Sequence, residues 1–202
     1  MKKDKDKINN EVIEKNTKKA KKDMFEEYIP YLIIIFFVII IRTFIATPVR
    51  VDGTSMNPTL KDGDVMVLYK LVKHTRGLKR FDIVVVNTGK TRLIKRIVGL
   101  PGERIKYEIT PDENGNQVGR LLINGEVVEE NFIKENYKSQ TCNNNWNICN
   151  EELTIPMDKY FVMGDNRGNS MDSRVIGPVS RDEITGTTKL TIFPFTRLGN
   201  KE

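Results

Sequence analysis

Hydrophobic and polar positions fall into three regimes along the chain. The first two dozen residues are dominated by Lys, Asp, Glu and Asn. From Tyr28 to Ala46 the chain then reads YIPYLIIIFFVIIIRTFIA, and Leu32 to Ile41 is an unbroken run of Leu, Ile, Phe and Val with no polar face. A bilayer-crossing helix needs about 20 apolar residues, and the one charge in the window, Arg42, sits near its far end where a long side chain reaches the headgroups. A cleavable export leader has a shorter apolar region, about 7 to 15 residues, ending at small residues. Ala46 could supply such a site, but the chain runs on through Pro48 and Val51 into a dense polar motif without a spacer, so a retained transmembrane helix over 28–46 is expected.

From Pro48 onward Gly, Pro, Asn or Asp interrupts short Val-, Ile- and Leu-rich runs, which is the pattern of an all-β domain. Strands are predicted at Val49–Asp52, Asp64–Tyr69, Phe81–Asn87, Arg92–Leu100, Arg104–Ile109, Tyr160–Met163 and Ile184–Phe193. Asn124-Gly125, between apolar neighbours in Leu121–Val128, predicts a tight hairpin, because both central residues must accept positive φ. The expected class is mainly β: one N-terminal transmembrane helix followed by a mostly antiparallel β-sheet domain, with segments 1–27, 28–46 and 47–202.

Charge sets the expected topology. Lys15, Lys18, Lys19, Lys21 and Lys22 precede the apolar span, whereas only Arg42 and Arg50 lie at its other end, so the N-terminus is expected in the cytoplasm and residues 47–202 outside the cell membrane. The lysine-rich head could serve as a nucleic-acid arm, but interleaved acids and the adjacent span make it a solvated topology signal, and no nucleic-acid partner is expected. The net charge of +6 therefore reports orientation more than an anionic ligand. One His and two Cys exclude a two-histidine metal site and a four-cysteine zinc cage, so no metal and no cofactor are expected. A His-based triad would need His74, which lies in a basic loop-like stretch. Cys142 and Cys149 enclose a short Asn-rich loop; outside the cytoplasm a disulfide staple fits them better than a redox pair, which prefers C-x-x-C spacing.

With imidazole nearly excluded, a serine activated by a desolvated lysine becomes the chemistry to look for. In VDGTSMNPTLKDGD, Ser55 follows a predicted strand beside Gly53 and near Pro58, at a bend that would present its hydroxyl, although an ordinary turn serine fits the same spacing. In TRLIKRIVGLPGE, strand alternation places Lys95 between Leu93 and Ile97 on one face and Ile94, Arg96 and Val98 on the other. Burial of that face would push the amine pKa down from about 10.4 and free a neutral base; an edge lysine reaching solvent is the alternative. The third segment, YFVMGDNRGNSMDSRVIGPVS, packs two acids, two asparagines, an arginine and two serines between Asp165 and Ser173, and so dense a loop must form a hydrogen-bonded network.

Taken together, GTSMNPTL, RFDIVVV, LIKRIVGLPGE and GDNRGNSMDSR, in that order behind an N-terminal anchor, closely resemble the type I signal peptidases, serine proteases that remove leader peptides from exported proteins. The resemblance covers nearly all of residues 42–193. It implies Ser55 as nucleophile, Lys95 as general base, Ser170 as the hydroxyl orienting the lysine amine, and Asp165, Arg96, Asp172 and Arg174 as charged residues bracing the site. It implies substrate added as an extended strand, with Val49, Val51 and Ile94 lining shallow pockets for small residues at the third and first positions before the cut. Met56 and Pro58 match positions that shape the nucleophile turn. The chain departs from some members at Gly53, where a side-chain oxyanion donor is replaced by glycine, leaving the Ser55 N–H and the backbone at Gly53 as the expected oxyanion hole. It departs again at Gly168, where a charged residue is common. The implied partners are preproteins bearing signal peptides and the lipid bilayer, and the chain is expected to act as a monomer. Two other classes compete. Related serine/lysine folds serve self-cleaving repressors, which carry a DNA-binding module and no span; a non-catalytic membrane-anchored β module would bind extended peptides with Ser55 and Lys95 as ordinary turn and strand residues.

Overall fold

The computed structural model describes residues 25–71, 77–134, 148–149 and 151–201; the lysine-rich head, His74 and Cys142 lie outside them. The chain divides into two compact units, residues 1–44 and 45–202. In the first, helix α1 (Phe25–Ile45) is 21 residues long, and its most apolar stretch buries nothing against protein. Its last turn, Ile41–Ile45, widens to π-helical winding. The apolar span thus begins three residues earlier than expected, and Ala46 opens the first strand instead of closing the helix.

The second unit contains β1 (Ala46–Arg50), β2 (Val65–Tyr69), β3 (Ile83–Asn87), β4 (Arg92–Gly99), β5 (Arg104–Pro111), β6 (Gln117–Ile123), β7 (Glu126–Val127), β8 (Leu153–Thr154), β9 (Lys159–Met163), a short helix α2 (Ser173–Ile176), β10 (Val179–Ser180), β11 (Ile184–Phe193), a 3₁₀ turn (Phe195–Arg197) and β12 (Gly199–Asn200). Each of the seven expected strands forms, Ile184–Phe193 with the expected bounds and the others with shifted ends. β3 starts at Ile83 because Phe81, at φ +69°, bends the chain just before it. Asn124 and Gly125, at φ +53° and +86°, make the predicted tight turn between β6 and β7. The two-residue strands β8, β10 and β12 were too short to leave an alternating pattern in the sequence.

Pairing is antiparallel throughout. One sheet runs β1-β2-β11-β3-β4-β9-β10, with β12 on β11, and a smaller sheet runs β7-β6-β5-β8. Three apolar clusters form the core. Val98, Ile105, Tyr107, Leu121 and Phe161 belong to a group under the smaller sheet. Val84, Val86, Ile97 and Val162 make a second, and Val51, Met56, Leu60, Met66 and Ile83 a third beneath the turn after β1. Ile83 to Val86 are all essentially inaccessible, as their β-branched run suits a strand covered on both faces. Each such side chain contributes about 2 kcal/mol of burial.

Two exposed edges matter for the site. β1 is the first strand of its sheet and pairs only with β2, and Pro48, which lacks an N–H, sits on that edge strand. On β4, pairing with β9 begins at Arg96, so among the described residues Arg92–Lys95 has a partner only on its β3 side.

Candidate active site

Those two edges face a common cleft of about 330 Å³, lined by Val49 and Arg50 from β1, Val51 just after it, Arg92 to Lys95 from β4, and Ser55 and Met56 from the turn between β1 and β2. The turn holds its shape through local bonds. Gly53, at φ +90°, donates its N–H to Asp62 Oδ1 at 2.7 Å; Asn57 N–H reaches Thr54 O, and Leu60 N–H reaches Met56 O. Met56 and Leu60 are fully buried below it and fasten the turn to the third cluster.

Lys95 is 2% exposed, and its Nζ lies 2.7 Å from Ser55 Oγ. Burial lowers its pKa from 10.5 to about 8; the carboxylates of Asp172 and Asp165 pull the other way, and Arg174 adds to the lowering. Strand alternation correctly separated Leu93, Lys95 and Ile97 from Ile94 and Arg96. Its limit was to suppose one inward face, because Lys95 to Gly99 are buried on both.

Arg96, fully buried, grips Asp165 with Nε at 2.9 Å and Nη2 at 2.8 Å, donates Nη1 to Phe81 O, and stacks 3.9 Å from the Phe132 ring centroid. Thr59 Oγ1 donates to Asp165 Oδ2 at 2.6 Å, which joins the Ser55 turn to this pair. Asp172 caps α2 through the Arg174 N–H, takes Nε and Nη2 of Arg174 at 2.9 Å each, and accepts the Gly164 N–H. Burial opposes the Asp172 charge, yet Arg174, the Gly164 N–H and Ser170 together hold its carboxyl below the usual range. Ser170 differs from expectation. Its buried Oγ lies close enough to Asp172 to favour that charge, but among the described residues no group meets it in hydrogen-bond geometry, and the Lys95 amine makes no bond to it.

The polar loop also straps the Ser55 turn. Asn166 N–H donates to Ser55 O at 3.0 Å, Asn166 Nδ2 to Thr54 O, and Asn169 Nδ2 to Thr54 Oγ1. Gly164 lies beneath this strap, and a Cβ there would collide with Ser170 and with the Ser55 carbonyl. At Gly53, by contrast, a Cβ would meet nothing within 4 Å. The glycine answers to its positive φ and not to a close approach, and its N–H is committed to Asp62 rather than to an oxyanion. Gly168 is exposed with open space around it, so no bracing contact is made there.

Several supporting residues escaped sequence reasoning. Arg167 forms a buried bidentate pair with Glu130 and donates Nε to Gly164 O. Arg197 donates to Asp64 Oδ1 at 2.9 Å and to Thr59 O at 3.2 Å. Both join segments distant in the chain, and neither pattern is periodic; only the glycine directly after an apolar strand, at Gly164, was a readable signal of close packing. Cys149 is half-buried and not free, while Cys142 lies outside the described residues, as does His74. Among the described residues no cluster of His, Cys, Asp and Glu could hold a metal ion.

Residues 21–193 match the family model described as Signal peptidase, peptidase S26. Signal peptidase I P of Bacillus subtilis subsp. natto is 38% identical over 186 residues, covering 90% of this chain and 95% of the relative. Signal peptidase I T of Bacillus subtilis (strain 168) is 36% identical, with 91% and 94% covered, and Signal peptidase I U of the same strain is 40% identical, with 77% and 80% covered. A crystal structure of a signal peptidase I from Enterococcus faecalis V583 aligns at 30% identity with a TM-score of 0.41, covering 55% of this chain and 97% of that one.

Proposed function

The chain belongs to the signal peptidase I family, and on that premise we propose that it is a membrane-anchored serine endopeptidase that removes signal peptides by a Ser55/Lys95 mechanism, cutting after small residues. The observation that carries this is the buried Lys95 amine 2.7 Å from Ser55 Oγ at the wall of a cleft between two unpaired strand edges.

An extended peptide laid along those edges completes backbone hydrogen bonds that β1 and the first half of β4 leave open. Its alternate side chains then face Val49, Val51 and Ile94, where the half-buried Val49 and Ile94 and the buried Val51 of the third cluster leave room for small residues. This supports the A-x-A rule of leader cleavage. As Ser55 Oγ attacks the scissile carbonyl, its proton passes to neutral Lys95 Nζ; the C–N bond breaks as the lysine returns that proton to the leaving amine. Water, deprotonated by the same amine, then hydrolyses the Ser55 ester. The Ser55 N–H is the donor proposed for the oxyanion; a partner for it at Gly53 is not supported, since that N–H is taken. Asp165, Arg96, Asp172 and Arg174 fix the lysine's surroundings, and Ser170 acts through Asp172.

Helix α1 is long enough, at about 1.5 Å per residue, to cross a bilayer core of about 30 Å. With the lysine-rich head on the cytoplasmic side, the domain from residue 47 works outside, near the surface where preproteins tethered by apolar leaders are concentrated. We take it to act as a monomer on preproteins, without cofactor or nucleic acid.

The test is processing of a purified A-x-A precursor by wild type, Ser55→Ala and Lys95→Ala, with folding verified for each by circular dichroism. Each substitution should reduce the rate by about a thousandfold or more. Processing that persists in both variants overturns the mechanism.

A further inference from the structure

The mechanism uses one side of a docked strand and leaves the other unassigned. Along β4, Arg92 and Ile94 point to the side of the third cluster, where Val49 and Val51 line the cleft; Leu93 and Lys95 point to the opposite side. Leu93 there belongs to two surfaces. It lines the cleft, and it also lines a second cavity of about 450 Å³, larger than the cleft itself, together with Met171, Ile176 and Pro178. Met171, exposed, directly follows Ser170, and Leu93 and Ile176 are half-buried against the second cluster. Away from this apolar wall the cavity turns polar at Lys90, Thr91 and Glu183. The charges nearest Leu93 are already engaged: Lys95 Nζ is 2.7 Å from Ser55 Oγ, and Arg50, on the same side of β1, has Asp52 beside it at 3.7 Å.

Topology sets the direction of a docked leader. The pairs β1-β2, β2-β11, β11-β3 and β3-β4 are each antiparallel, so β1 and β4 run the same way. Ser55 lies beyond the end of β1, and β9 takes over the β4 edge at Arg96, so residues before the cut have the stretch ending at Lys95 to lie against. A leader strand therefore runs parallel to β4, its first position beside Ile94, its second beside Leu93 and its third beside Arg92. We propose that the cavity behind Leu93 is a subsite for a large apolar side chain at the second position before the scissile bond. It rests on the cleft being a peptide-strand site, and it makes Leu93, Met171 and Ile176 specificity-determining residues. An Ala at that position ends over Leu93, whereas Leu or Phe reaches in toward Met171 and Ile176 and takes apolar surface out of water. That burial raises kcat/KM by about tenfold.

The experiment compares kcat/KM of the full-length enzyme in detergent micelles on A-x-A precursors that carry Ala, Asn, Leu or Phe at the second position. Leu and Phe should exceed Ala by about tenfold, and Asn, close to Leu in shape but polar, by no more than about twofold. Because no charge is involved, the preference should persist in about 0.5 M NaCl. Leu at the fourth position, beside Thr91 at the polar end, should gain less than about twofold. In Met171→Gln and Ile176→Thr, with folding verified by circular dichroism, the Leu-to-Ala ratio should fall to about threefold or less. Equal rates for Ala and Leu in wild type, an equal gain at the fourth position, or an undiminished ratio in both variants overturns the subsite while leaving the peptidase reading intact. Failure of wild type to cut any of the precursors overturns the peptidase reading, and the subsite with it.

Discussion

The two sheets solve opposite problems. Beneath the smaller one, Ile105, Tyr107, Leu121, Ile123 and Ile155 pack with Phe161 and Met163 in a cluster that holds no charge. Around the Ser55–Lys95 edge of the larger one, Lys95, Arg96, Asp165, Arg167, Asp172 and Arg174 are all buried. Removing charges from water is costly, and such pairs return little net stability against a hydrophobic equivalent. They do fix direction, since each guanidinium fork admits few orientations. The apolar region therefore supplies stability, and the ionic region spends some of it on holding one amine and one hydroxyl in register.

Lys95→Met tests this division most strongly. Activity should fall by about a thousandfold or more, yet the folded state should gain about 3 kcal/mol at pH 7, because a lysine whose pKa drops from 10.5 to about 8 on folding is held there at a cost. The sign follows from proton counts. Between pH 8 and 10.5 the native state binds fewer protons than the unfolded chain, so in wild type the penalty is complete below pH 8 and disappears as pH rises through that window. Denaturant titrations at pH 7 and 10.5 should show the variant's advantage at the lower pH alone.

Next in size, Asp165→Asn strands the Arg96 charge and should destabilise by about 4 kcal/mol, with activity lost alongside. Leu121→Ala should cost a similar 2 to 5 kcal/mol but leave the turnover of molecules that remain folded unchanged, as read by active-site titration against calorimetry. Equal turnover losses in both variants would erase the distinction between the regions. The smallest effect is on wild type itself: the rate should climb with a midpoint near pH 8, so that at pH 7 it is about a tenth of its plateau. A profile flat from pH 6 to 9 with chemistry limiting would remove Lys95 as base.

What the sequence disclosed follows from how local each feature is. Asn124-Gly125 named its turn because positive φ is a property of two adjacent residues, and Lys95 was placed beside apolar neighbours by strand alternation alone. Ser55 and Lys95 lie 40 positions apart, so their contact could be inferred only from the ordered motifs and not from spacing. The Glu130–Arg167 pair and the stacking of Arg96 on Phe132 left no periodic trace, since both depend on which loops the sheets bring together. The Ser170 bond was implied by resemblance, whereas its hydroxyl packs against Gly164 near Asp172 without a partner in hydrogen-bond geometry.

Arg197 reaches back 133 positions to hold Asp64, whose backbone carbonyl in turn receives the Val51 N–H at the root of the Ser55 turn. During synthesis the turn is therefore made early and clasped late. A chain cut short of residue 197 keeps the serine and the lysine but loses the clasp that holds Asp64 against the root of their turn.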